Sequence, residues 1–148
     1  MKKIAIGSDH AGFELKEAIR VHLEEKGYEY KDFGSYKGEP CDYPAIGIAL
    51  GECVAAKECD LGILVCGTGL GISMAASKVK GIRAACCSDY FSAKYTRLHN
   101  DANVLAMGGR VISAGLALEL VDVFLETEFE GGRHARRIDM ITEYENNH

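Results

Sequence analysis

Five short apolar runs alternate with amphipathic segments along the whole chain, and few folds accommodate that order. The runs are Lys3–Gly7, Tyr28–Phe33, Leu61–Cys66, Ile82–Cys87 and Asn103–Met107. Each reads as a strand. Helical patterns lie between them. Leu15, Ala18, Ile19 and Leu23 recur at helical spacing, and Gly27 supplies a stop. Pro44 to about Ala56 reads as a second helix, with Pro44 in its first turn. Leu70–Val79 and Ser88–Leu98 follow, and Ala117, Leu120, Val121 and Phe124 mark a fifth apolar stripe. The Gly131-Gly132 pair then breaks the chain before a basic final helix, about residues 131–148. Such alternation implies a parallel sheet covered on both faces. The expected fold is α/β: one domain over residues 1–148, a Rossmann-like three-layer α/β/α sandwich with a five-stranded parallel sheet.

In a parallel sheet, ligands gather outside the carboxyl ends of the strands. That rule selects three loops: Ser8-Asp9-His10-Ala11-Gly12, Cys66 to Ser73, and the loop beyond Met107. The second is the most informative. The run Ile63-Leu64-Val65-Cys66 meets Gly67-Thr68-Gly69-Leu70-Gly71-Ile72-Ser73 at once. A thiol at a strand end beside a helix start sits among unpaired N–H groups, which favour an anion and a thiolate. Taken alone, Cys66 is equally a buried strand cysteine before an ordinary glycine turn. The first loop has one glycine after the strand, so the dinucleotide fingerprint is absent, and no G-K-[ST] marks a Walker A loop.

The chain has 148 residues, 47% of them hydrophobic and 26% charged, which suits one globular domain with a sizeable core. Its net charge of −5 argues against general nucleic-acid affinity while permitting a local basic pocket. No apolar run approaches the roughly 20 residues of a spanning helix. The N-terminus reads as a first strand, without a signal peptide, so the expected location is the cytoplasm. The six cysteines form no C-x-x-C pair and no zinc spacing, so no metal is expected. Cys66 apart, they read as small buried hydrophobes, with Cys86 and Cys87 facing opposite sides of a strand.

Other side chains carry candidate chemistry. Asp9 and His10 follow the first strand and could orient a hydroxylated ligand, although Asp9 is equally a helix cap. His99 closes the fourth helix just before the fifth strand; it is either an acid–base imidazole or a partner of the helix dipole. Arg133 and Arg137 are four apart and share one helix face, as a phosphate clamp requires, with Arg136 turned elsewhere. The plainer reading is a solvated basic helix. His22 and His148 are given no role.

Six motifs in order then carry a resemblance. They are Gly7-Ser8-Asp9-His10-Ala11-Gly12, Asp42-Tyr43-Pro44, Cys66 to Ser73, Gly81-Ile82-Arg83-Ala84-Ala85, His99-Asn100-Asp101-Ala102-Asn103 and Gly131-Gly132-Arg133-His134. Together they resemble the type B ribose-5-phosphate isomerase family, which includes galactose-6-phosphate isomerase subunits. The resemblance spans essentially the whole chain. It implies an aldose–ketose isomerase of the pentose phosphate pathway, interconverting ribose 5-phosphate and ribulose 5-phosphate through an enediolate. It implies no cofactor and a homodimer with shared active sites, leaving open whether dimers pair into tetramers. Cys66 matches the base, and the loop containing Gly67, Thr68, Gly69, Gly71 and Ser73 matches the anion hole, with Thr68 counted in the catalytic set. Asp9 and Tyr43 match sugar contacts. His99 matches the ring-opening group, with Asn100 beside the reacting atoms. Arg133 and Arg137, helped by His10 and Arg110, match the phosphate set. The later segments are expected from the partner chain. Some relatives place a glutamate base beyond the glycine loop; here Met74-Ala75-Ala76-Ser77 stands there, leaving Cys66.

Three other readings remain beside it. One is an isomerase of a six-carbon sugar phosphate, such as allose 6-phosphate or galactose 6-phosphate. A second is a non-catalytic phosphosugar-binding module on the same fold. The third is a thiol transferase or redox protein using Cys66, for which no resolving cysteine is evident.

Overall fold

The computed structural model describes residues 1–148. Five parallel strands form one sheet: β1 (Lys3–Ser8), β2 (Glu29–Asp32), β3 (Leu61–Cys66), β4 (Ala84–Cys86) and β5 (Val104–Gly108). Their order is β2-β1-β3-β5-β4. The helices are α1 (Phe13–Glu25), α2 (Tyr43–Ala55), α3 (Leu70–Ser77), α4 (Tyr90–Asn100), α5 (Ala114–Glu126) and α6 (Arg133–Asn146). The three-layer parallel α/β architecture expected from the alternation is the one present.

Strand alternation divides the core in two. On β3, Leu61, Ile63 and Val65 pack with Leu15, Ile19 and Leu23 of α1 and with Leu120, Val121 and Phe124 of α5. Leu64 and Cys66 face the other way, toward Leu50 and Val54 of α2 and Ile72 and Ala76 of α3. All six residues of β3 are buried, as the middle strand of a doubly covered parallel sheet requires. Cys66 therefore reaches the α2–α3 face by strand parity alone.

Both edge strands are shorter than the sequence implies. β2 covers four residues of the expected six, with alternating half-buried and exposed positions. β4 covers three. Ahead of it, Arg83 donates its N–H to Asn103 Oδ1 at 2.8 Å, and the Asn103 N–H donates to the Arg83 carbonyl at 3.0 Å. A side chain thus takes the place of a ladder bond, and pairing begins one residue later. Helix ends follow the sequence cues more closely. At the end of α1, Gly27 adopts φ +80°, and the Tyr28 N–H donates back to Leu23. Asp89 caps α4 through the Ser92 N–H at 2.7 Å, and Ser113 caps α5.

Asp9, Lys16 and Arg97 are the charged side chains buried in the chain, and Lys16 is the deepest of them. Lys16 is fully buried on α1, its Nζ donating to Asp32 at 2.9 and 3.1 Å and to the Ser35 carbonyl at 2.6 Å. It ties the end of β2 to α1 just beneath the carboxyl end of β1. Lys16→Ala removes the cation from Asp32, the nearby Glu17 carboxylate and the Ser35 carbonyl, so we expect a loss of about 3–5 kcal/mol. Urea unfolding of both proteins measures it; a difference below about 1 kcal/mol would show that the pair contributes little beyond a surface bridge.

Candidate active site

β1 lies between β2 and β3, so the chain leaves it toward opposite sides. That switch point opens a crevice at the strand ends. A cleft of about 390 Å³ occupies it, lined by Asp9, His10, Tyr43, Cys66, Gly67, Thr68, Gly71 and Arg110, with Ala11. Eight of the fourteen site residues named from the sequence meet there.

The geometry around Cys66 is specific. The Gly69 N–H donates to Cys66 Sγ at 3.1 Å. The N–H groups of Gly67, Thr68, Gly71 and Ile72 donate to no atom of the chain, because the first helical bond of α3 runs from Ser73 to Gly69. Four free donors and one already on sulfur thus follow the strand end within six residues. Glycine is required at 69 on two counts. Its φ is +82°, and a Cβ there would stand 2.7 Å from the Met107 carbonyl carbon and 2.9 Å from Cys86 Sγ. At Gly71 a Cβ would meet the Tyr43 ring at 2.7 Å, so the phenol lies against the loop.

Asp9 satisfies both of its readings. It caps the turn His10–Gly12, accepting the Gly12 N–H at 3.0 Å, and it also lines the cleft. His10 Nδ1 accepts the Cys41 N–H at 3.4 Å. The Arg110 N–H donates to the Gly67 carbonyl at 3.0 Å, holding the β5 loop against the glycine loop. Ser73 departs from the expectation of an anion-hole donor. It is buried in α3, with its hydroxyl donating to Leu70 at 2.8 Å and its N–H to Gly69 at 3.3 Å, so both donors are used by the helix.

His99, Asn100 and Arg137 lie elsewhere. They line a second cleft of about 450 Å³ with Arg83, Thr96 and His134. Arg83 caps the end of α4, donating to the carbonyls of Asn100 at 3.0 Å and Asp101 at 2.8 Å. The His99 ring stacks on His134 at 4.0 Å and meets the edge of Tyr95 at 5.1 Å. Burial, the His99 ring and the Arg133 guanidinium hold the His134 imidazole below its ordinary range. His134 received no role from the sequence; the available signal was its place four residues before the buried Ile138, on the inner face of α6. Arg133 is exposed at the first turn of α6 and lines neither cleft. Arg110, Arg133 and Arg137 have no carboxylate within 4.0 Å, so their charges are available to a ligand.

The cysteines need one correction. Cys53, Cys59 and Cys87 are buried, and burial pushes the Cys59 thiol up to about 12 and Cys87 up to about 11. Cys41 is half-buried and Cys86 exposed, so neither is a core residue. Cys86 does face away from Cys87. It lies 3.7 Å from the Thr68 carbonyl, against the outer side of the glycine loop, because the short β4 leaves its end uncovered.

A thiol beside unpartnered N–H groups at a switch point defines a class of α/β protein suited to carbanion chemistry. Comparison with known proteins is more specific. The family model described as Ribose/Galactose Isomerase matches residues 4–141, and the chain belongs to that family. It is 51% identical to ribose-5-phosphate isomerase B of Escherichia coli over 98% of this chain and 97% of that one. The Clostridium thermocellum ribose-5-phosphate isomerase B structure superposes with a TM-score of 0.96 at 53% identity, covering 98% of each chain. The Mycoplasma genitalium enzyme with bound ribulose 5-phosphate gives 0.95 at 42% identity, covering 99% of this chain and 97% of that one. No helix of the protein is long and apolar enough to cross a membrane.

Proposed function

We propose that this protein is an aldose–ketose isomerase interconverting ribose 5-phosphate and ribulose 5-phosphate, in the pentose phosphate pathway. One observation carries the reading: the sulfur that would act as base accepts the Gly69 N–H, in a loop and helix start where four further N–H groups have no partner in the chain. The substrate is mostly a closed ring, and His99 moves the proton that opens it. The Cys66 thiolate removes the C2 proton and returns it at C1. The oxyanion of the enediolate is held by the N–H groups of Gly67, Thr68 and Gly71, each such donor contributing on the order of 10²–10³ in rate. Thr68 and Asn100 flank the reacting carbons, and Asp9 and Tyr43 take the sugar hydroxyls. Arg110, Arg133, Arg137 and His10 bind the phosphate, whose fixed position orients the carbons.

Two clefts on one chain each hold part of this set. We therefore propose a homodimer in which the cleft containing Cys66 is completed by the partner's α4 and α6. The exposed Met140, Ile141 and Tyr144 on α6 support a partner there. The single domain spans residues 1–148, with α6 reaching across. Six free thiols suit a reducing compartment, and we place the enzyme in the cytoplasm.

The test is isomerisation in deuterium oxide. We expect ribulose 5-phosphate labelled at C1 and recovered ribose 5-phosphate labelled at C2, with slower turnover of allose 6-phosphate and galactose 6-phosphate. Absence of carbon-bound label together with absence of turnover would exclude the enediolate reaction. Faster turnover of a six-carbon phosphate would reassign the substrate.

A further inference from the structure

A concentration of metal-competent side chains lies where the end of α4, the segment after α5 and the first turn of α6 meet. His99, Glu130 and His134 each bring one donor atom, and the three atoms lie within 4.8 Å of one another. Two imidazoles and a carboxylate form the donor set of open zinc sites. The backbone builds the arrangement: the Glu130 N–H donates to the Leu98 carbonyl at 3.1 Å, which sets Glu130 beside His99. Its carboxylate stands 3.8 Å from His99 Nε2. His134 is 6% exposed, and its Nε2 has no hydrogen-bond partner. A buried nitrogen without a partner is a group awaiting a ligand.

We propose that His99, Glu130 and His134 bind one divalent transition-metal ion of the zinc class, and that occupation withdraws His99 from ring opening. The ion is an inhibitor at this site. It is not a cofactor of the reaction. The two rings stack with their planes 14° apart. Imidazole lone pairs lie in the ring planes, so one ring must swing for both to reach the same ion. Burial holds His134, whereas the His99 side chain is 36% exposed and is the ring that would turn, giving up its stack on His134. Zinc has no geometric preference from its d electrons and accepts the resulting angle, with water in the open position. Arg133 and Arg137, on the helix that carries His134, oppose a cation and keep binding reversible. The site stands on its own geometry; the inhibition rests on the isomerase reading.

The full-length protein is titrated with Co²⁺, then with Zn²⁺ in competition. We expect one Co²⁺ per chain, visible d–d absorption, and no sulfur-to-metal charge-transfer band in the near ultraviolet. Glu130→Gln and His134→Asn should each weaken binding by more than the roughly 10–100-fold that follows loss of an outer-shell partner. In the isomerase assay Zn²⁺ should inhibit the parent protein, a chelator should restore it, and Glu130→Gln should keep its turnover and resist the ion. Absence of d–d bands overturns the proposal. So does a sulfur band that disappears in Cys66→Ala or Cys86→Ala, and so does unchanged zinc sensitivity in Glu130→Gln. The expected cobalt spectrum in a protein without turnover supports the site and overturns the isomerase reading instead.

Discussion

Cys66→Ala is expected to remove isomerisation and leave the fold in place. Loss of a positioned general base lowers rate by roughly 10²–10⁴-fold, and no other thiol can substitute. Cys86 packs against the Thr68 carbonyl, and burial together with the nearby Cys66 raises its pKa. The variant shortens a side chain in the core cluster of α2 and α3 by one sulfur. It keeps every backbone donor of the loop except the Gly69 N–H free of change. Binding of a substrate analogue through the phosphate should persist, because the arginines are untouched. The measurements are kcat on ribose 5-phosphate, circular dichroism and analogue affinity. Turnover within about tenfold of the parent would remove Cys66 from the base role.

A mixture of two inactive variants is expected to regain activity. Cys66→Ala disables the thiol and Arg137→Ala the phosphate clamp. If the clamp comes from the partner, a heterodimer holds one site with both intact and one with both lost, as two-fold geometry demands. Equal amounts exchanged at random restore about one quarter of all sites. Subunit exchange is followed by native mass spectrometry and turnover is read from the same sample. Full exchange with no gain of rate would assign Arg137 to its own chain's cleft, or to no substrate at all.

Much of the fold was legible because its signals are local. Six buried residues of β3 followed by glycines leave little choice of element, and parity then sends Cys66 to the α2–α3 face. The cleft at the switch point followed from the same alternation. What could not be read was settled by contacts distant in sequence. β4 is shortened by Asn103, twenty residues beyond Arg83. The approach of Glu130 to His99 depends on a backbone bond across the segment after α5. Cys86 looked like any small apolar residue, and only an edge strand's short length exposes it. Ser73 looked like a loop donor because a helix's first bond cannot be located from glycines alone. The division of His99 and Arg137 from the thiol was implied by family resemblance and could not have been found from spacing.

The two clefts also make the molecule a caliper. One jaw, at the end of the central strand, is as stiff as the sheet that carries it. The other is mounted on helices at the rim. In the proposed homodimer, opening between the jaws is a property of how two copies seat against each other, and neither jaw alone defines it. A change of one carbon in the preferred sugar needs no alteration at the thiol or its glycine loop. It can be reached by substitutions on the outer faces of α4 and α6 that reset the seating, so drift in substrate length should leave its mark where the chemistry does not occur.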